Sequence, residues 1–293
     1  MEQNPKTTYR DACGNTPGLP LFQQPWWLDA ACGPGNWQAA AARNEKTGAL
    51  EGLLPYHARS RYGVRMVSPP PMTPFLGPLL FPPEGLNDYK VRTFEEQAIR
   101  RLLAQLPGLP VVRLKLHYDV RNWLPFRPAG FRQTTRYSYR ILNLRNLDRV
   151  WCSFHPRLRN KISHAARLCE VRQVEGAGPV FRLFRQRLER QGAAVGDAWF
   201  AGVDAALQAH GARAAFLCSD EQGRPLAGAY IAWDERSAYL LMTGFDGRAG
   251  IRGAAALAVW ASIRFAAERG LIYDFEGSML PGVERFFREF GGE

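Results

Sequence analysis

The sequence predicts an α/β (α+β) chain of two similar lobes, each a mixed, mostly antiparallel sheet flanked by helices. Three observations predict it. The chain has 293 residues, more than one domain commonly holds. Hydrophobic residues make up 46% and charged residues 22%, so there is enough apolar surface to close a core in each half. Above all, the order strand, turn, strand, strand, helix, strand occurs twice.

Residues 1–20 are polar at the start, lack an apolar leader core, and read as a flexible N-terminus. The first lobe is placed at 21–147. Residues 37–43 form a strand, Asn44-Glu-Lys-Thr-Gly48 a hairpin turn, and 50–56 the returning strand. A third strand follows at 64–67, a helix at 93–106 and a strand at 111–117, before Phe126-Arg-Pro-Ala-Gly-Phe131 closes the unit. The second lobe is placed at 148–293. It opens on a basic helical stretch, 148–168, with Trp151, Phe154, Leu158, Ile162 and Ala165 on one face and Pro156 in a first turn. Helices at 180–191 and 199–210 lead into the second copy of the order. Its strands are 212–218, 225–233 and 238–243, with Ser219-Asp-Glu-Gln-Gly223 as the hairpin turn. A helix at 253–269 and a strand at 271–276 complete it, and Phe286 to Gly291 closes it.

Charge and cysteine usage narrow the class. Lys and Arg number 38 against 27 Asp and Glu, and the resulting net charge of +11 favours polyanionic partners such as RNA, nucleotide cofactors or anionic lipid headgroups. No helix-turn-helix or RNA-binding signature accompanies that charge, so DNA is not expected as a partner. Five cysteines without a C-x-x-C pair fit neither a disulfide framework nor a zinc site, and no metal is assigned. They suit a reducing, cytoplasmic setting. No apolar run reaches the ~20 residues of a membrane helix, although the charge permits peripheral contact with an anionic membrane.

Three segments carry residues suited to chemistry. In Arg157-Leu-Arg-Asn-Lys-Ile-Ser-His164, Arg157, Lys161 and His164 share a helical face, and Arg159 lies elsewhere on the helix. Cations near a helix start suit phosphate, and a solvated basic face reads equally well. Gly244-Phe-Asp-Gly-Arg-Ala-Gly-Ile-Arg-Gly253 joins a strand to a helix N-terminus. Its glycines admit a phosphate close to the backbone, which makes Gly250, Arg252, Gly253 and Ala254 candidate cofactor-binding residues. In Tyr273-Asp-Phe-Glu-Gly-Ser278, strand alternation puts Asp274 and Glu276 on one face. Glu276, nearer the carboxyl end of the strand, is the first candidate for accepting an amine proton, with Asp274 and Ser278 beside it. Tyr239 and Thr243, on the strand at 238–243, join Arg157, Arg159 and Lys161 as candidate substrate-binding residues.

Taken together, the basic helix from Arg157 to Ala165, the glycine-rich loop, Tyr273-Asp-Phe-Glu-Gly-Ser278 and Gly282-Val-Glu-Arg-Phe-Phe-Arg-Glu-Phe-Gly-Gly292 resemble the FemABX-like and CelD/BcsL-like branch of the GNAT acyltransferases. The resemblance covers the second lobe well and the first through the duplicated order. It implies tandem GNAT-like lobes flanking a cleft, where a small-molecule or lipid-linked amine of a cell-envelope or polysaccharide precursor is acylated. It further implies acyl-CoA or aminoacyl-tRNA as co-substrate, with no permanently bound cofactor. Two positions depart from the family. Gly250 stands where the Arg/Gln-x-x-Gly-x-Gly/Ala pattern has Arg or Gln, and Phe287 stands where a Lys associated with aminoacyl-tRNA is usual. The competing expectation is a non-catalytic protein of the same fold that binds a nucleotide- or lipid-linked sugar or RNA.

Overall fold

The computed structural model describes residues 4–247 and 250–293. The chain divides into two compact units, Met1–Thr134 and Thr135–Glu293. The division falls before residue 147 because 139–141 belong to the second sheet: Tyr139 C=O accepts from Phe275 N, and Arg140 lies opposite Asp274.

In the first unit the stretch expected to be flexible begins with a helix, α1 (Pro5–Gly14). Asn4 caps it by accepting from Lys6 N at 2.9 Å, and Pro5 presets its first turn. Tyr9 on this helix is fully buried and donates to Gln23 C=O at 2.6 Å, so the segment is part of the core. A 3₁₀ turn (Leu21–Gln23) and α2 (Pro25–Cys32) follow. The sheet comprises β1 (Trp37–Arg43), β2 (Leu50–Arg61), β3 (Val64–Val67), β4 (Leu79–Leu80) and, after α3 (Asp88–Ala104), β5 (Val111–Val112). Its order is β1-β2-β3-β5 with β4 on β2, and only β3 and β5 pair in parallel.

The small residues Ala40 and Ala42 of β1 pack with Ile99 and Leu102 of α3 in the core. The helix begins at Asp88, earlier than expected, because Asn87 accepts from Lys90 N at 3.0 Å. The strand expected at 111–117 shrinks to two residues. Beyond them the Pro-rich segment runs alongside, with Leu76 N donating to Lys115 C=O.

The second unit starts with β6 (Arg140–Ile141). The helical stretch expected at 148–168 is two helices, α4 (Leu147–Ser153) and α5 (Pro156–Ala165). The break follows from Pro156, which drives the residue before it out of the helical region; Phe154 and His155 are extended. Phe154, Leu158, Ile162 and Ala165 still reach the core, while Trp151 is half-buried against it and its neighbour Val150 is buried instead. Then come β7 (Glu170–Val174), α6 (Gly178–Arg190), α7 (Asp197–Ala209), β8 (Arg213–Ser219), β9 (Pro225–Trp233), β10 (Ser237–Phe245), α8 (Ala254–Glu268), β11 (Ile272–Asp274) and α9 (Pro281–Arg288).

The sheet order is β6-β11-β10-β9-β8-β7, antiparallel except for β10 with β11. One face carries α8, whose buried Ala258, Val259 and Ala266 pack in the cluster that contains Ala229 and Ile231. The other face carries α6, seated where Gly228 and Gly244 pair across β9 and β10. A Cβ at Gly228 would lie 2.8 Å from Val180 side-chain carbons, and one at Gly244 would lie 2.4 Å from the backbone of Leu183 and Phe184. The two glycines thus set how closely the helix lies on the sheet. Among the described residues no helix is long and apolar enough to cross a membrane.

Candidate functional site

The second unit opens its sheet at the carboxyl end of β10. β10 and β11 pair in parallel only from Ser237↔Ile272 to Tyr239↔Asp274. β10 then continues to Phe245 with its register shifted between Leu240 and Met242. Past Tyr239 the β11 side of β10 has no ladder partner among the described residues, so backbone donors and acceptors face a gap.

Three of the expected site residues stand at the end of β11, and their surroundings separate their roles. The strand stops at Asp274, and Glu276 takes a left-handed backbone, φ +58°. Strand alternation therefore does not extend to Glu276, and the shared face expected for the two carboxylates is lost. Asp274 is buried. Its carboxylate accepts from Ser138 Oγ at 2.5 Å and from Glu276 N at 2.7 Å. Burial raises its pKa, opposed by those two hydrogen bonds. Asp274 therefore fixes the bend that carries Glu276, a positioning role in place of the expected catalytic one.

Glu276 itself is partly exposed, and its charge reaches the Tyr273 phenol. That phenol is buried 2.7 Å from Ser262 Oγ, which donates to Val259 C=O. Burial, with the Glu276 charge adding, holds Tyr273 well above its ordinary pKa, so it stays neutral. Ser278 accepts from Leu280 N at 3.1 Å and shapes the turn into α9.

Across the gap, α8 starts at Ala254 from Gly253, whose φ of +99° is a left-handed conformation that suits glycine. A Cβ there would meet Lys161 C=O at 2.2 Å. The basic helix and the glycine-rich loop, separate in sequence, are thus packed together. Gly250 and Arg252 are exposed beside this helix start, and Ala254 is buried in its first turn. Arg248 and Ala249 of the loop lie outside the described residues. On α5, Arg157 is exposed, and Lys161 pairs with Glu289 at 3.4 Å. Arg159 is half-buried, and its Nε has no hydrogen-bond partner among the described residues.

Two expected substrate contacts are not offered by the structure. Tyr239 is buried, and its hydroxyl donates to Asp234 Oδ2 at 2.8 Å, bracing the β9–β10 turn. Thr243 is buried as well. Its backbone C=O accepts instead, from Arg187 at 2.9 Å. Period-2 reasoning places a residue on a face of its strand and cannot say that a turn carboxylate or a helix covers that face.

Arg187 and Arg190 on α6 were not among the expected residues. Arg187 is held at the end of β10, and Arg190 reaches Phe245 C=O at 3.4 Å. Burial, with Arg190 adding, lowers the Arg187 pKa, yet a guanidinium stays charged. The signal available was two arginines three apart on a helix in the second copy, which is common on solvated faces. Only the packing of α6 aims them at the gap. Phe287, at the position where a Lys is usual, is buried 5.3 Å from Phe275 in the core.

A parallel strand pair that parts, a glycine-led helix start and a carboxylate just past the end of the shorter strand are the features of this end of the sheet. Residues 153–288 match the family described as "Acetyltransferase (GNAT) domain". The matched stretch lies within the second unit. No curated relative matches the sequence. Among solved structures, FemX shares the fold at 14% identity and a TM-score of 0.67, over 100% of this chain and 94% of that one. The C-terminal domain of a putative lysylphosphatidylglycerol synthetase from Agrobacterium fabrum does so at 12% identity and TM-score 0.54, over 98% and 90%. A tandem GNAT protein from the clavulanic acid biosynthesis pathway does so at 12% and 0.51, over 92% and 84%. The tandem, FemABX-like GNAT fold read from the sequence is borne out.

Proposed function

We propose that the protein is an N-acyltransferase that moves an acyl or aminoacyl group from acyl-CoA or aminoacyl-tRNA to an amine of a cell-envelope or polysaccharide precursor. The observation that carries this is the bend at Glu276, whose backbone N–H donates to Asp274 close to where β10 and β11 part. In this reading the acyl donor lies along the unpaired edge of β10, with its phosphates toward the start of α8 and Arg252. No resident cofactor takes part.

The chemistry is a direct transfer. The neutral amine attacks the carbonyl carbon of the donor, a C–N bond forms, and the C–S or C–O bond to the leaving group breaks. The Glu276 carboxylate takes the amine proton, directly or through a water, and the leaving thiolate or alkoxide is protonated as it departs. Backbone N–H groups on the open edge of β10 stabilise the oxyanion. Exposed Arg157 and half-buried Arg159 attract anionic groups of the acceptor. The amine-bearing acceptor is a small molecule or lipid-linked, tRNA is the macromolecular partner if the donor is aminoacyl-tRNA, and the reaction is cytoplasmic with peripheral membrane contact.

The test is transfer to an amine acceptor from acetyl-CoA and, separately, from charged tRNA, with wild type and Glu276→Gln. A variant that keeps both its rate and its pH profile would remove Glu276 from the chemistry. Gly250 and the buried Phe287 favour a second reading, a non-catalytic binder of a nucleotide- or lipid-linked sugar or RNA. Ligand binding without turnover of either donor would decide for it.

A further inference from the structure

The second unit carries a separate cavity of about 480 Å³ at its β6 edge, walled by the 142–146 loop, α4 and residues 291 and 293. Its polar lining is almost all donors. Arg140, Arg145 and Arg149 line it, with Glu293 as the acidic residue among the lining residues. Among the described residues neither Arg145 nor Arg149 has an ion-pair partner, although most arginines on α6 and α9 do or reach a carbonyl. Asn143 and Asn146 commit their side-chain oxygens to Arg145 N at 3.0 Å and Arg149 N at 2.9 Å. What these amides have left is N–H. The floor is apolar, from Ile141 and Val150, both buried in the core.

We propose that this cavity binds a diphosphate-bearing small ligand. Guanidinium groups match phosphate oxygens in a bidentate way, and Arg145 and Arg149 supply two of them with no ion-pair partner among the described residues. Its volume falls in the range of small-molecule pockets, well beyond a bare phosphate, and its apolar floor suits a ring or other body attached to the anion. Arg145 and Arg149 lie apart from the Glu276 site, whereas Arg140 sits opposite Asp274 in the sheet, so the test rests on Arg145 and Arg149 and the inference stands whether or not the chain turns over an acyl donor.

The test is calorimetric titration of the full chain with sodium pyrophosphate and, separately, with uridine diphosphate. Saturable binding is expected, weakened about tenfold or more in Arg145→Ala/Arg149→Ala, since each lost charge-assisted contact is worth that order. Arg172→Ala/Arg224→Ala removes the same charge from exposed ion pairs elsewhere and is expected to bind within about twofold of wild type. Tighter binding of uridine diphosphate than of pyrophosphate would assign the body of the ligand to the Ile141 floor; equal binding would assign the bare diphosphate. No saturable binding of either probe, wild-type affinity in Arg145→Ala/Arg149→Ala, or equal weakening in both double variants would overturn the site. Both Arg145 and Arg149 are exposed, so the fold should be retained, checked by circular dichroism.

Discussion

The two units share a plan and differ where a ligand would sit. In each, a hairpin is followed by a third antiparallel strand, a crossover helix and a strand parallel to the third: β1, β2, β3, α3, β5 in the first and β8, β9, β10, α8, β11 in the second. In the second unit β10 outruns its parallel partner and leaves an open edge. In the first, β3 ends at Val67, the last residue paired with β5. The Pro-rich segment then packs along 115–117, with a Cβ at Gly77 falling 3.2 Å from His117 N and Lys115 reaching Thr73 C=O. The helix starts differ too. Asp88 occupies the first turn of α3, and Asn87 takes a free N–H there, whereas α8 has no acidic residue in its first turn and starts from a bare glycine. A helix N-terminus attracts one anion, and the first unit supplies its own. Duplication of a sheet therefore does not duplicate a site, because the chain itself can fill the gap.

That contrast can be broken at several points. The largest effect is expected at the carboxylates. Glu276→Gln should lower the transfer rate by about 10³ with an unchanged melting temperature. The buried Glu51 of the first unit, bound to Arg101 and Asn44, should behave oppositely. Glu51→Gln should cost about 2 kcal/mol of stability and leave the rate alone. Stopped assays and urea denaturation of both variants decide this. Equal rate loss in the two would erase the distinction.

Packing glycines come next. Gly244→Ala should destabilise by about 3 kcal/mol, because α6 backbone stands where the methyl must go. Gly52→Ala in the first unit meets the movable Leu80 side chain at 3.0 Å first and should cost about 1 kcal/mol. Urea midpoints in the reverse order would mean that α6 does not sit on the sheet as described.

A smaller, pH-dependent effect belongs to Asp274. Its pKa is raised in the folded chain, so above about pH 3.9 the unfolded chain releases a proton that the folded chain keeps. Stability therefore falls as pH rises from there through the folded pKa, then levels. Asp274→Asn keeps the acceptor for Glu276 N and should remove that fall, seen as a flatter unfolding free energy between pH 4 and 7. The smallest effect is Asn87→Ala, about 1 kcal/mol for a lost cap on α3. The unfolding midpoint measures it, and α8 has no such side chain to lose.

Much of this was legible in the amino-acid order alone. The strands Val64–Val67 and Pro225–Trp233 match the expected bounds residue for residue, and the Asn44–Gly48 turn is closed by Gly48 N on Asn44 C=O. Alternation and turn chemistry act over a few residues, so a duplicated order of elements, the basic helix and the glycine-led helix start can be read without any tertiary contact. β7 could not be. It is a largely exposed edge strand, rich in polar residues, that exists through its pairing with β8.

The roles within the site could not be read either. Asp274 and Glu276 look alike in sequence, and only Ser138, far away along the chain, and the left-handed bend make one a brace and leave the other partly open. Tyr239 was lost to Asp234, and Arg187 was gained because Gly228 and Gly244 let α6 settle over β10. The sequence by itself determined which elements form and in what order, since those depend on local backbone preferences. The tertiary structure decided which side chains are free to act, since that depends on which distant groups arrive to cover, pair with or bury them.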